Sequence, residues 1–211
     1  MSATLWLVRH GHTVVHGTGG VAGRRDVALA ETGREAVRRL GPSLVAALSG
    51  RRTAPRWYAS SLSRARESAA LLRTTAAHER RPLAIDERLV ELDFGVWEGS
   101  TWAAVHREHG AALAAWGENW VERAPPGGES FAAQATRCRA WFEECIGATA
   151  GDAIVVAHGG SIRALACHLL GWPLTEAMRL TVDPATVCRF ERDARLAGGW
   201  RLAGANLSDF G

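Results

Sequence analysis

At 211 residues, 47% of them apolar and 22% charged, the chain suits one soluble α/β unit with a real core. No apolar run approaches the roughly 20 residues of a membrane helix, and Leu5-Trp6-Leu7-Val8 is too short for a signal-peptide core, so a cytoplasmic protein with no membrane partner is expected. All 25 basic residues are Arg, the net charge is only +3, and the Arg residues are scattered among Asp and Glu, which argues against a nucleic-acid partner.

Thr4 to Val8 reads as a short buried strand ending at the polar cluster Arg9-His10-Gly11-His12-Thr13. Residues 14–30 are Gly-rich without helical period and read as a loop. Thr32 with Glu35 makes a capping-box pattern, and Ala36, Val37, Leu40, Leu44, Val45 and Leu48 follow at helical spacing until Gly50. Arg56 to Ala59 is a second strand, and Ser61 is a candidate cap for a helix with Ala65, Ala69 and Leu72 on one face. Pro82 to Ile85 is a third strand, followed by a loop with Glu91, Phe94, Gly95 and Trp97. Residues 100–118 predict one or two short helices, Pro125-Pro126-Gly127-Gly128 a firm break, and Ser130 the start of a helix to about Gly147. Ala153-Ile154-Val155-Val156-Ala157 is the most strand-like run, ending at His158-Gly159-Gly160 before a helix through Leu170. Thr186 to Glu191 and Trp200 to Ala203 are late strands, a candidate hairpin.

Cys138, Cys145, Cys167 and Cys188 show no CxxC spacing. Cys138 and Cys145 lie seven apart and read as small buried hydrophobes on one helix face. The alternation of strands and helices implies an α/β fold, with a mostly parallel central sheet and helices on both faces.

In such a sheet, ligands bind beyond the carboxyl ends of the strands. Two strands here end in His followed by Gly, at His10-Gly11 and His158-Gly159, and glycine lets a ligand approach the backbone closely. The helix beginning after His158 offers free N–H groups and a positive dipole end to an anion. Arg9 adjoins His10, and Arg64 heads the helix after the second strand at the same sheet edge. Two guanidinium forks and two imidazoles around one point make a site for a tetrahedral dianion.

Six stretches occur in one order: Leu7-Val8-Arg9-His10-Gly11; Gly23-Arg24-Arg25-Asp26-Val27-Ala28-Leu29 with Gly33; Tyr58-Ala59-Ser60-Ser61-Leu62-Ser63-Arg64-Ala65; Glu91-Leu92-Asp93-Phe94-Gly95-Val96-Trp97-Glu98-Gly99; Gly127-Gly128-Glu129-Ser130; and Val156-Ala157-His158-Gly159-Gly160. In them the chain resembles the histidine phosphatase superfamily, also called phosphoglycerate mutase-like. The resemblance implies a three-layer αβα sandwich of a single domain, residues 1–211, with 97–130 as a small helical cap over the site. It implies a metal-independent phosphatase with no cofactor, acting on a small phosphorylated substrate. His10 would become phosphohistidine; Arg9, Arg64, His158 and Gly159 would hold the phosphoryl oxygens; Glu91 would shuttle the proton. Fixed cations can do here what Mg²⁺ does in kinases. Leu92, Phe94 and Trp97 are expected to raise the Glu91 pKa by desolvation.

Two positions depart from the family pattern. His12 stands where Glu or Gln is common, and His16 where Asn is common; His16 is expected to donate to phosphate. A zinc site on His10, His12, His16 and His158 is disfavoured because the paired Arg residues would repel a cation. Cofactor-dependent mutases usually carry a longer insertion and a tail over the site, whereas this chain ends at Leu207-Ser208-Asp209-Phe210-Gly211, which favours hydrolysis over mutase activity; a non-catalytic phospholigand-binding module is opposed by the presence of both His10 and Glu91. Trp116 to Trp120 and Pro125 to Ser130 resemble α-ribazole phosphatases, whose substrate is a benzimidazole riboside 5′-phosphate. Ala22, Gly23, Trp116 and Trp120 are then the expected substrate contacts, with a broad-specificity phosphatase as the alternative. The late strands could pair across a homodimer, but the oligomeric state is not legible.

Overall fold

Among the residues that the computed structural model describes (3–51, 53–147, 151–196 and 199–209), six strands form one sheet. They are β1 (Thr4–Arg9), β2 (Arg56–Ser60), β3 (Leu83–Asp86), β4 (Ala153–Ala157), β5 (Val187–Arg192) and β6 (Trp200–Leu207), in the order β3-β2-β4-β1-β5-β6. The first four strands of that order run parallel; β5 pairs antiparallel with β1, and β6 antiparallel with β5. The late strands do form a hairpin within the chain. Phe210 and Gly211 of the tail lie outside the described residues.

Side chains alternate across the sheet, as period-two geometry requires. Trp6 and Val8 of β1 with Ile154 and Val156 of β4 face α1 (Glu31–Leu48) and α2 (Ser63–Thr75), meeting Val37, Leu40, Leu44, Ala65, Ala69 and Leu72. Leu5, Leu7, Ala153, Val155 and Ala157 face the opposite layer, α4 (Phe131–Phe142) and α5 (Gly159–Leu170), meeting Cys138, Trp141, Ile162 and Leu165. These two cores make three αβα layers. Each fully buried Val, Leu or Ile among them contributes about 1.5–3 kcal/mol.

The fifth long helix, α3 (Trp102–Glu118), stands apart from both cores. It is kinked at His109, where φ is −128°, and it gathers Val105 and Trp116 against Val21 and Trp97 in a third, smaller cluster.

Three local expectations need correction. The predicted capping box at Thr32 does not form: α1 starts one residue earlier, with Ala30 as its N-cap and no side-chain cap bond, so Thr32 lies inside the first turn. Ser61 is not the cap of α2, whose N-cap is Leu62; the Ser61 hydroxyl instead donates to Glu87 at 2.7 Å. Cys145 does not share the fully buried face of Cys138, because α4 ends at Phe142 and Cys145 falls in a π-helical turn, partly exposed. By contrast Ser130 caps α4 as its sequence predicts, accepting from Ala133 N at 3.2 Å.

Candidate active site

β1 and β4 are parallel neighbours with Arg9 beside Ala157, so the next pair in register is His10 and His158. Their rings lie 5.0 Å apart at 61°. The His10 amide is fixed by Ala157 O at 3.1 Å. Its ring Nδ1 meets the carbonyl of Gly11 at 2.7 Å; a carbonyl only accepts, so Nδ1 carries the proton and Nε2 carries the lone pair. Gly11 is obligatory at that turn, since a Cβ there would stand 2.4 Å from Gly33 O.

Arg64 is 1% exposed. Its guanidinium donates to Gly23 O at 2.6 Å and Arg25 O at 2.8 Å, which aims the head of α2 at the loop after β1. Ser68 completes that tie, donating to Arg64 O at 2.7 Å and accepting from Gly11 N at 3.2 Å. Arg9 is anchored through Val182 O at 2.6 Å, while its Nε is buried without a partner among the described residues. His158 is alike: Nε2 meets Ser60 Oγ at 2.7 Å and Nδ1 is buried with no such partner. An orphaned buried polar group costs about 1–3 kcal/mol, so the Arg9 Nε–H is ready for a ligand that accepts hydrogen bonds, and with Ser60 donating to Nε2 so is the His158 Nδ1–H.

One cavity of about 350 Å³ is lined by Arg9, His10, His16, Ala22, Gly23, Arg64 and Glu91, together with Thr13, Val15, Gly20, Val21, Phe94, Trp102 and Arg163. Gly159 has two cations close by: a Cβ there would be 3.1 Å from Arg163 Nη1 and 3.6 Å from the Arg9 guanidinium carbon. Volume alone does not select this cavity. A pocket of about 420 Å³ between α4 and α5 is larger, but its one Arg, Arg139, pairs with Glu143.

Burial drives the His10 and His158 pKa values well below the ordinary imidazole range, assisted at His10 by His158 and Arg64 and at His158 by Arg64 and Arg9. Both rings are therefore neutral near pH 7. Glu91 corrects an expectation. Burial does push its pKa up, as foreseen from Leu92, Phe94 and Trp97, but the Leu92 N–H, Arg9, the Gly160 N–H and Arg64 together outweigh it, and the net shift is downward. Its Oε1 accepts from Leu92 N at 2.9 Å and Gly160 N at 3.0 Å. A Cβ at Gly160 would approach that oxygen to 2.3 Å.

Most of the expected residues therefore meet around this cavity, with His158 and Gly159 immediately behind it. His12 packs edge-on against His16 at 4.3 Å, and burial, His12 and Arg9 lower the His16 pKa. Trp116 and Trp120 are not brought to the cavity, which corrects their expected role. Trp116 sits behind Trp102, nearly parallel at 6.3 Å, and Trp120 packs on Phe131 at 5.1 Å. The helix kink at His109 breaks the regular spacing from which facing would be inferred.

Arg163 was missed, although its position one helical turn past Gly159 was a readable signal. Glu98 was also missed. Its carboxylate accepts from Arg24 N at 2.7 Å, Arg25 N at 3.1 Å and Phe94 N at 3.1 Å, stitching the Gly23 loop to the Glu91 loop. Gly23, at φ +50°, leaves room for it: a Cβ there would fall 1.9 Å from Glu98 Oε1.

Residues 5–207 match the family model described as histidine phosphatase superfamily (branch 1). A glucosyl-3-phosphoglycerate phosphatase of Mycolicibacterium vanbaalenii is 32% identical over 81% of this chain and 75% of its own length. An adenosylcobalamin/alpha-ribazole phosphatase of Salmonella typhimurium is 30% identical over 85% of each chain. The crystal structure of the alpha-ribazole phosphatase from Shigella flexneri superposes with a TM-score of 0.82 over 99% of this chain and 98% of that one, at 24% identity, a likeness of fold.

Proposed function

The chain belongs to the histidine phosphatase superfamily, branch 1, and is a phosphatase of that family; on that premise we propose that it hydrolyses phosphomonoesters through a phosphoryl group carried transiently on His10. The observation that carries this reading is the His10 tautomer: Nδ1 is tied to Gly11 O, so the Nε2 lone pair is free in a cavity shared with Arg9, Arg64 and Glu91.

In the first step Nε2 attacks phosphorus and the P–O ester bond breaks, while Glu91 gives its proton to the departing alkoxide. Arg9, Arg64 and the Nδ1 side of His158 take up the charge spread over the three phosphoryl oxygens, with His16 at the rim and Gly159 leaving space for them. In the second step water attacks phosphorus, Glu91 takes the water proton, and the N–P bond breaks to return neutral His10. Glu91 reaches its acid form only with substrate bound, because the phosphate charge cancels the pull of Arg9 and Arg64. The cations supply the electrostatic stabilisation, so no metal enters either step.

For the substrate, we propose α-ribazole 5′-phosphate. The named activity of the Salmonella relative supports it, as do the small apolar surfaces of Ala22 and Gly23 in the lining. On the same reading the chain is one catalytic domain and residues 97–130 are its cap. Activity on p-nitrophenyl phosphate in EDTA, with acid-labile ³²P on the wild type and none on His10→Ala, tests the chemistry; a strict need for divalent metal overturns it. A phosphate-release panel of α-ribazole 5′-phosphate, glucosyl-3-phosphoglycerate, sugar phosphates and nucleotides tests the substrate. Formation of 2-phosphoglycerate from 3-phosphoglycerate and 2,3-bisphosphoglycerate faster than phosphate release would replace hydrolysis with mutase chemistry.

A further inference from the structure

The cavity lining combines a cationic set, Arg9, His10 and Arg64, with an apolar set, Val15, Val21, Phe94 and Trp102, in which Phe94 packs on the Val21 cluster and against Trp102. Trp102 is 39% exposed although it is a large aromatic side chain. Its ring is backed by Trp116, with an interplanar angle of 20° at 6.3 Å. Phe94 meets it edge-on at 5.4 Å and Trp97 at 6.4 Å. The backbone is equally fixed: Trp102 N donates to Gly19 O at 3.1 Å, and Thr101 caps α3 by accepting from Ala104 N at 3.2 Å. A rigid indole thus has one face taken by a parallel ring and remaining surface in the substrate cavity.

We propose that Trp102 is the specificity-determining residue of this site, stacking on a planar aromatic or heterocyclic ring in the alcohol part of the substrate. The inference rests on the reading that the Arg9, His10 and Arg64 set receives the phosphoryl group. A ring held there extends the parallel Trp116–Trp102 pair by one member, and offset stacking at 4.5–7 Å is the arrangement aromatic quadrupoles favour. Because the indole is already ordered by three neighbouring rings, little side-chain freedom is lost on binding. Beside that indole, Val15, Val21 and Phe94 offer the hydroxyl groups of a polyhydroxylated alcohol no side-chain hydrogen bond.

The test uses phenylphosphonate and methylphosphonate, which bind without turnover. By calorimetry the wild type should bind phenylphosphonate about tenfold more tightly than methylphosphonate, Trp102→Ala should bring that ratio near one, and Trp102→Phe should restore most of it. A wild-type ratio near one, or a ratio unmoved in Trp102→Ala, overturns the stacking role. The readout is independent of catalysis: loss of the His10 label with the ratio intact would sink the phosphohistidine mechanism alone.

Discussion

Arg137 and Glu129 meet through two hydrogen bonds, Nη2 to Oε1 at 2.6 Å and Nε to Oε2 at 3.1 Å. The same guanidinium donates to the carbonyls of Arg88, Val90 and Glu91. Glu129 also accepts from Asp93 N at 3.2 Å and Arg24 Nη2 at 2.9 Å. The Gly127-Gly128-Glu129-Ser130 block is thereby explained as a brace for the backbone that carries Glu91.

Arg137→Met should therefore act through Glu91. Removing one partner of a largely buried ion pair costs on the order of 3 kcal/mol of stability. The catalytic signature is separate. A displaced general acid slows alkyl phosphates, whose alkoxide needs a proton, by at least about tenfold, while p-nitrophenyl phosphate, with a leaving group stable as the anion, is largely spared. Steady-state kcat for both substrates checks this; equal losses would make Arg137 a scaffold residue only.

The pH dependence follows from the directions of two shifts. The Glu91 pKa is lowered, so near neutrality the free enzyme holds a carboxylate, and the proton for the leaving group must arrive with a monoanionic substrate. The alkaline limb of kcat/KM should then fall through the second phosphate pKa, about 6, and should move when a substrate with a different phosphate pKa is used. His10 is held neutral by burial, His158 and Arg64, so the acid limb should lie well below the ordinary imidazole pKa of about 6.5. Profiles for two substrates of unlike phosphate pKa decide it; a limb that stays fixed would assign it to an enzyme group.

Stability should also fall on acidification before the carboxylates titrate. His10 and His158 have folded pKa values well below those of the unfolded chain, so below about pH 6.5 the unfolded state binds more protons. Each costs up to about 1.4 kcal/mol per pH unit until its folded pKa is reached. His16, His78 and His168 are shifted the same way, burial being the main cause in each. Urea unfolding between pH 7 and 5 should show a slope that His158→Asn reduces by about one proton. An unchanged slope would mean that His158 is charged in the folded protein.

The sequence makes the sheet legible because β1 and β4 are buried on both faces and read as unbroken apolar runs, Leu5 to Val8 and Ala153 to Ala157. It makes the anion-binding set legible because strand-end His10 and His158 must meet once β1 and β4 are parallel neighbours. The aromatic set was harder. Trp102, Trp116 and Trp120 are equivalent as letters, and only the three-dimensional docking of Thr101 and Trp102 on Gly20 and Gly19 turns the first toward the cavity. The direction of the Glu91 shift is not legible in sequence because its apolar neighbours are adjacent, whereas Arg9, Arg64 and the Gly160 N–H come from distant segments.

Arg163 provides the last prediction. It lines the cavity, its Nε donates to Leu180 O at 3.0 Å, and its Nη1 approaches Gly159, as the Arg9 guanidinium does. Like charges this close repel unless an anion lies between them, and the repulsion is one influence lowering the Arg9 pKa, after burial. A charge-assisted hydrogen bond contributes about 1.5–3 kcal/mol, so Arg163→Met should weaken competitive inhibition by inorganic phosphate by about 10- to 100-fold. It should also flatten the salt dependence of the inhibition constant. If Arg163 serves only to hold the Leu180 carbonyl, Arg163→Met would lower the unfolding midpoint yet leave phosphate inhibition at every salt concentration as it was.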